Sequence, residues 1–506
     1  MKKKAKVLFI TPNLKGIKGG INRIQPCLGI GYLGAVLREA GYEVYIRDTA
    51  LEGYKVEKQL NDKMILVGES DESIASYISN LNPDIIGISV LFSSQIGHAH
   101  TVAKIAKKIN PEIKIVLGGN HISNEVIDYQ FALKNQPVGT VGKLSFMKDK
   151  NIDFAMRGEV EYQFLELLDR LVSEENPKDI LGLISRNNNH LCINSAPPPI
   201  EDINRLPVPA RDLMNMEKYF SVGLFHSSKC RSKRVYNIMV SRGCLEKCTF
   251  CTTPQMWGRK VRCRNPQNVF EEIKEGIERY NIGEIQFEDD TLTANRKNLI
   301  EICKLIEPLG IPWCTPNGIK VNYHLKGNKQ LELFRMMFGA GCYQVTIGCE
   351  SGVQRVLDDI INKNLKLEQI KPSVENAKKA GLLVHTFWIV GYPGETREEM
   401  EKTIEFAAQV GADSYSVAIL SPLPGTPIKH QVIKENLWWD DSLKEKEIFY
   451  RNSLIKVYGF NNPYEFEQWV NEKTLYLNKL LKHRDLERFK NHYGDNTDDR
   501  FLLKQT

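Results

Sequence analysis

The sequence predicts an α/β chain in three parts: a doubly wound, Rossmann-like parallel sheet over residues 1–160, a partial (β/α)6 barrel over 235–430, and a helical C-terminal region over 431–506. Three observations predict it. Short apolar runs alternate with helical patterns from residue 6 to 160, which is the signature of a parallel sheet covered on both faces. A second such series starts at Val235 and runs through about six units without a fresh linker, as a barrel or partial barrel does. Beyond about residue 430 the chain reads as helical and is rich in Trp, Tyr and charge.

In the first series the strand runs are Val7–Ile10, Tyr42–Ile46, Ile85–Val90 and Ile115–Gly119. Between the first two, Tyr32 to Ala40 forms an amphipathic helix closed by Gly41. Ligands of such sheets sit at the carboxyl ends of the strands, so Asp48–Gly53, Ser89–Gln95 and Gly118–His121 are expected to line one crevice. Residues 161–234 become irregular, with Asn187–Asn189 and Pro197–Pro199, and read as loops and a linker. The second series has strands at Val235–Val240 and near 284–288, 343–348, 384–390 and 414–420, with helices between them such as the one carrying Val269, Ile273 and Ile277 on one face.

The 506 residues, 42% hydrophobic and 26% charged, can bury two or three cores. No apolar run approaches the ~20 residues of a membrane-spanning helix, and Val7–Ile10 is too short for a signal peptide. Eleven cysteines in a chain read as unsecreted indicate reduced thiols, some on metal, and a cytoplasmic, anaerobic setting. A net charge of +6 over this length is too weak to imply nucleic acid on its own, and no nucleic-acid partner is expected.

Cys244, Cys248 and Cys251 form a C-x3-C-x2-C run directly after the first barrel strand. Three thiolates on one loop can hold three corners of an iron–sulfur cubane and leave the fourth iron open. Structural zinc needs a fourth ligand, for which Cys263 is available. The loop's position favours the cluster, since barrel active sites occupy the carboxyl ends of the strands.

The run Ser241-Arg242-Gly243-Cys244-Leu245-Glu246-Lys247-Cys248-Thr249-Phe250-Cys251 resembles the radical S-adenosylmethionine superfamily. The resemblance implies one [4Fe-4S] cluster whose open iron chelates S-adenosylmethionine, and reductive release of a 5′-deoxyadenosyl radical. It places Phe250 beneath the adenine. Strand parity puts Gln344, Thr346 and Glu350 on one polar face and Tyr343, Val345 and Ile347 on the other, and it groups Glu288 with Asp290. The resemblance assigns Glu288, Asp289 and Asp290, the Gly348–Gly352 end with Glu350 and Ser351, and the strand end at Gly391 and Tyr392 to cofactor contacts, and Gln344 on the polar face is expected to join them.

In the first domain, Asp48-Thr49-Ala50-Leu51-Glu52-Gly53 has the outline of the Asp-x-His-x-x-Gly loop of cobalamin-binding domains, with Ala50 in place of the histidine. Together with Ser89, Ser93, Gly118-Gly119-Asn120 and Gly158-Glu159, it is similar to the cobalamin-binding domains of this superfamily, many of which lack that histidine. The resemblance implies cobalamin bound base-off, without a histidine ligand, by Asp48, Thr49, Ala50, Leu51, Gly53, Ser89, Ser93, Gly118, Gly119, Asn120, Gly158 and Glu159. A degenerate domain that binds nothing is the alternative.

Over nearly the whole chain the likeness runs nearest to the phosphonate C-methylase family of fosfomycin biosynthesis, as in Asn215–Phe220, Trp257-Gly258 and Glu350–Leu357. That implies a cobalamin-dependent methyltransferase moving methyl from methylcobalamin to an unactivated sp3 carbon of a small, phosphate-bearing molecule, with a reductant such as flavodoxin or ferredoxin. Lys229, Arg231, Lys233 and Arg234, or Arg259, Lys260, Arg262 and Arg264, are candidates for phosphate contacts, or else solvated loop charges. Residues 126–150, including Pro137–Gly142, read as an insertion. The alternatives are methylation of a protein glutamine or arginine, a tetrapyrrole or a lipid, a radical cyclisation or rearrangement without methyl transfer, or a non-catalytic binding module.

Overall fold

The computed structural model describes residues 4–20, 22–62, 64–135, 144–187, 190–227, 230–443 and 452–484. Pro137–Gly142 and Lys229 lie outside the described residues. The chain divides into two compact units, residues 1–225 with 255–257, and 226–254 with 258–506.

The first unit is built on a seven-stranded sheet of β1 (Lys6–Thr11), β2 (Glu43–Asp48), β3 (Ile85–Ser89), β4 (Lys114–Gly118), β5 (Phe154–Met156), β6 (Leu183–Asn187) and β7 (His190–Ile193). The spatial order is β7-β6-β5-β4-β3-β1-β2, parallel from β2 through β5 and antiparallel at β6 and β7. Alternate residues of a strand feed two cores. Leu8, Ile10, Ile86 and Ile88 pack with Ala99, Val102 and Ala106 of helix α2 (Ile96–Ile109). Val7, Phe9 and Ile85 pack with Ile30 and Leu37 of α1 (Leu28–Glu39) and Phe164, Leu167 and Leu168 of α3 (Glu161–Val172). Both faces being covered is what made these strands legible as unbroken apolar runs. The chain adds β2 on one side of β1 and β3 on the other, so the topological switch lies between β1 and β3.

The interval expected as a linker is folded. Within 161–234, α3 covers the sheet, Leu183–Asn187 pairs antiparallel with His190–Ile193 at its edge, and Met216–Val222 is a helix with buried Tyr219. Edge strands such as Leu183–Asn187 are short and half polar, so they lack the apolar run that marked the central ones. A further three-stranded antiparallel sheet of Leu14–Ile17, Met64–Val67 and Glu57–Gln59 also escaped the reading.

The second unit is an all-parallel, six-stranded sheet in sequential order: β8 (Val235–Ile238), β9 (Glu284–Phe287), β10 (Trp313–Ile319), β11 (Cys342–Glu350), β12 (Leu383–Val390) and β13 (Ser414–Ile419). β8 and β13 do not pair, so the (β/α)6 barrel is partial. Five of these strands coincide with the sequence-predicted ones. β10 does not, because Pro316 and Gly318 interrupt Trp-Cys-Thr-Pro-Asn-Gly-Ile, and its register against β11 shifts on either side of Cys314 and Thr315. The helix read from Val269 and Ile273 spans Pro266–Tyr280, capped by the Asn265 side chain on Gln267 N, with both residues buried. Beyond β13 the described chain is largely helical, at Pro427–Glu435 and Pro463–Arg484. No described helix is long and apolar enough to cross a membrane.

Candidate functional site

β8 leads through Ser241-Arg242, which pairs antiparallel with Arg262-Cys263, into the loop carrying Cys244, Cys248 and Cys251. All three thiols are free and partly exposed. The loop is anchored at both ends. Asp289, just past β9, accepts hydrogen bonds from Val240 N (3.1 Å) and Ser241 N (2.5 Å) and from the Ser241 hydroxyl. At the far end, Thr249 N and Oγ1 donate to the carbonyls of Ile361 (2.9 Å) and Ile360 (2.7 Å). Those carbonyls end a π-helical turn, Val356–Ile361, so the loop satisfies acceptors that the turn leaves unpaired. Gly243 has φ +105°, and a Cβ there would lie 2.3 Å from Lys260 O.

Burial raises the thiols of Cys244 and Cys248 and pushes Cys251 up to about 11. Iron supplies the positive charge that removes such protons, so three free thiols on one loop are a donor set suited to a cubane. Among the described residues no three His, Cys, Asp or Glu side chains converge on a single-ion position. A zinc site completed by Cys263 is therefore not assembled; Cys263 instead accepts from Asn295 Nδ2 at 3.7 Å.

Around the loop stand the predicted acids. Glu350 closes β11 in the left-handed region, φ +67°, and its buried carboxylate pairs with Lys363 Nζ at 2.8 Å. A non-glycine residue held at such an angle is the kind of local strain found at ligand sites. Glu288 binds His226 Nδ1 at 2.8 Å through Oε2, while its buried Oε1 has no hydrogen-bond partner. Asp290 accepts from Thr253 Oγ1 at 2.9 Å and is pushed up to about 6 by burial. Phe250 and Tyr392 lie with ring centroids 6.2 Å apart, and the buried Tyr392 hydroxyl also has no hydrogen-bond partner. Two orphaned polar atoms among these residues fit a polar ligand such as S-adenosylmethionine.

Other predicted residues are differently employed. Asp289 spends its carboxylate on the loop backbone, and Ser351, fully buried, bonds Thr403 Oγ1 (3.2 Å) and Val353 N (3.2 Å). Gln344 is buried on β11. Gly391 N and Tyr392 N both donate to Glu395 Oε2, at 2.8 and 3.0 Å, which shapes the turn after β12. Sequence reading missed Glu395, His226, Thr249, Lys320 and Lys363. Only Thr249, inside the cysteine run, carried a signal.

Of the basic residues, Arg231 N and Ser232 N bond Glu284 at the amino end of β9, Arg231 stacks on Tyr343 (4.5 Å), and Arg234 Nε bonds Tyr280 O (3.0 Å). They thus lie at the end of the strands opposite the cysteine loop. Arg264 pairs with buried Glu272 at 2.5 Å, and Arg262 is buried, whereas Arg259 and Lys260 are exposed beside Gly243.

In the first unit, Asp48 is buried and accepts from Ala50 N (3.1 Å), Leu51 N (3.2 Å) and Tyr219 Oη (2.7 Å), with burial pushing it up to about 6. Its carboxylate is therefore committed, and Ala50 presents only a methyl group. Thr49 Oγ1 ties the loop to Thr11 O at 2.9 Å. Gly53 packs against the Gly68–Glu69 backbone, where a Cβ would fall 2.1 Å away. Ser89 pairs with Gly118 across β3 and β4, and Ser93 Oγ meets His121 Nδ1 at 3.0 Å. Gly119 has φ +103°, with Val90 O 2.6 Å from where a Cβ would be, while beside Gly118 the space is nearly open. Asn120 bonds Asn124 Nδ2, Gly158 N donates to Ser123 Oγ, and Glu159 accepts from Ile200 N. Leu91 and Phe92 stand exposed at the end of β3. Open space above a glycine and an exposed apolar pair at the strand ends fit a large flat ring such as a corrin.

Residues 238–407 match the radical SAM superfamily and residues 17–168 match the B12 binding domain. The chain is 30% identical to cytidylyl-2-hydroxyethylphosphonate methyltransferase of Streptomyces wedmorensis, over 90% of this chain and 86% of that protein. It is 32% identical to an uncharacterized methyltransferase of Pyrococcus horikoshii, over 85% and 83%. Among solved structures it is similar to the cobalamin-dependent S-adenosylmethionine radical enzyme OxsB with aqua-cobalamin and S-adenosylmethionine bound, with a TM-score of 0.69, 16% identity, and 97% of this chain and 70% of that one covered.

Proposed function

Because this chain belongs to the cobalamin-dependent radical S-adenosylmethionine methyltransferases, we propose that it methylates an unactivated sp3 carbon of a phosphate-bearing small molecule, with a nucleotide-activated hydroxyethylphosphonate as the leading candidate. It is an enzyme of the methyltransferase type whose cofactors are a [4Fe-4S] cluster, S-adenosylmethionine and cobalamin. The observation that carries the substrate class is the similarity, along most of both chains, to the Streptomyces phosphonate methyltransferase. Exposed Arg259 and Lys260, beside the cysteine loop, are suited to its phosphates.

In this reading Cys244, Cys248 and Cys251 hold the cluster, and Phe250, Glu288, Asp290, Glu350 and Tyr392 hold S-adenosylmethionine. Asp289, Ser351 and Glu395 position them through the backbone. The loops after β2, β3 and β4, with Leu91 and Phe92, hold cobalamin. Ala50 offers cobalamin no imidazole from the 48–53 loop, so these residues would hold the group by shape and backbone contacts. When bound, the three groups supply an electron, a hydrogen-abstracting radical and a methyl group. The chain contributes orientation and dryness: Glu350 and Glu288 fix the cofactor's polar end, and Phe250 with Tyr392 shields it from water. A cytoplasmic setting and a flavodoxin or ferredoxin donor go with this chemistry.

The test is anaerobic incubation of the reconstituted enzyme with methyl-labelled S-adenosylmethionine, cobalamin, reductant and cytidylyl-2-hydroxyethylphosphonate. Label in the phosphonate is expected. Label only in a protein or a pigment removes this substrate.

A further inference from the structure

Beneath the cysteine loop lies a chain of buried charges that ends on Glu350 and whose two lysines have no part in the cofactor contacts or the motifs. Glu246, between Cys244 and Cys248, turns inward while its neighbours Leu245 and Lys247 are exposed. Its carboxylate meets Lys320 Nζ at 2.9 Å and accepts from Tyr323 Oη at 3.1 Å. Lys320, one residue past β10, is 4% exposed, and its ammonium also donates to the carbonyl of Lys363. Lys363 in turn pairs with Glu350 at 2.8 Å. Lys363 is flanked by Asn362 and Asn364, both with positive φ (55° and 52°), so the turn that presents it is conformationally demanding. Both ammoniums bring positive charge toward the Cys248 sulfur, and their carboxylate partners Glu350 and Glu246 bring the opposing negative charge.

Burying an ammonium and a carboxylate costs several kcal/mol per ion unless each is paired and hydrogen-bonded. Here the partner of the buried lysine is a residue of the cluster loop itself, so the loop's shape and the ion pair stand or fall together. We propose that Lys320 is a positioning residue for the iron–sulfur cluster: through Glu246 it fixes the loop from Cys244 to Cys248, and it sets positive charge against the Cys248 thiolate. Through Lys363 the same network joins the cluster loop to Glu350. The inference rests on the cluster reading of the three cysteines.

The experiment compares wild type, K320M and K320M/E246Q, each reconstituted anaerobically with iron and sulfide, by iron content and by EPR-monitored redox titration. K320M leaves an uncompensated carboxylate beside the cluster. It is expected to lose at least half its iron and to lower the reduced-to-oxidised ratio at fixed potential about tenfold, a shift of ~59 mV for one electron. Removing both partners is milder than removing one, so the double variant is expected to regain iron and to titrate near wild type. This non-additivity is the signature of a pair acting as a unit, and the double variant carries the test if K320M does not fold. A K320M with full iron and the wild-type potential overturns the proposal, as does a double variant lacking the cluster or titrating well away from wild type. A wild-type protein with no reducible [4Fe-4S] signal would instead strike the cluster reading itself.

Discussion

Asp289 grips the backbone at Ser241, accepting its amide at 2.5 Å and its hydroxyl as well, so the end of β9 determines how the cysteine loop leaves β8. Asp289→Ala would strand these donors in a buried site, at about 1–3 kcal/mol for a buried donor left unsatisfied. We expect lowered iron content after reconstitution together with a lower Tm. An alanine variant with a full cluster and unchanged Tm would show that the loop holds itself.

The three thiols and Cys263 separate cleanly by substitution. Alanine at Cys244, Cys248 or Cys251 is expected to abolish cluster assembly, measured as iron and sulfide per chain. Cys263→Ser, whose side chain meets Asn295 and whose backbone pairs with Ser241, is expected to retain it. Iron lost from Cys263→Ser would return the fourth-ligand reading.

Glu395 gives a pH signature. Burial pushes its carboxyl up to about 8 from an ordinary 4.5, so the folded state binds a proton that the unfolded state releases between those values. The stabilisation this provides is full below pH 4.5 and is lost as pH rises through 8. Glu395→Gln, which mimics the neutral acid, is expected to flatten the fall in stability across that window, a difference of a few kcal/mol. Denaturant titrations at pH 5, 6.5 and 8 check this; parallel slopes for both proteins contradict it.

Much of this was legible in the sequence, and the exceptions have physical causes. Strands buried on both faces, such as Ile85–Ser89, announce themselves as apolar runs. β10 hid behind Pro316, and the edge hairpin hid because an edge strand need not be apolar. The cysteine spacing marked the cluster loop because chemistry fixes it. Residues that support the site from a distance in sequence, such as Glu395 beneath Gly391 or Lys363 against Glu350, carry no local pattern. Motif assignment also could not tell that Asp289 and Ser351 hold backbone while neighbouring Glu288 keeps an unpaired oxygen.

Phe92 is 55% exposed at the end of β3. Phe92→Ser is expected to leave apo-protein stability within about 0.5 kcal/mol, as for ordinary surface substitutions, while cobalamin retained after gel filtration, read from its visible absorbance, falls severalfold. Unchanged retention would remove Phe92 from the corrin site.

Radical formation and methyl transfer are expected to occur together in each turnover, and product counting tests this most directly. Anaerobic turnover with cobalamin-loaded enzyme should yield 5′-deoxyadenosine, S-adenosylhomocysteine and methylated substrate in equal amounts. Formation of 5′-deoxyadenosine with no S-adenosylhomocysteine would contradict the account.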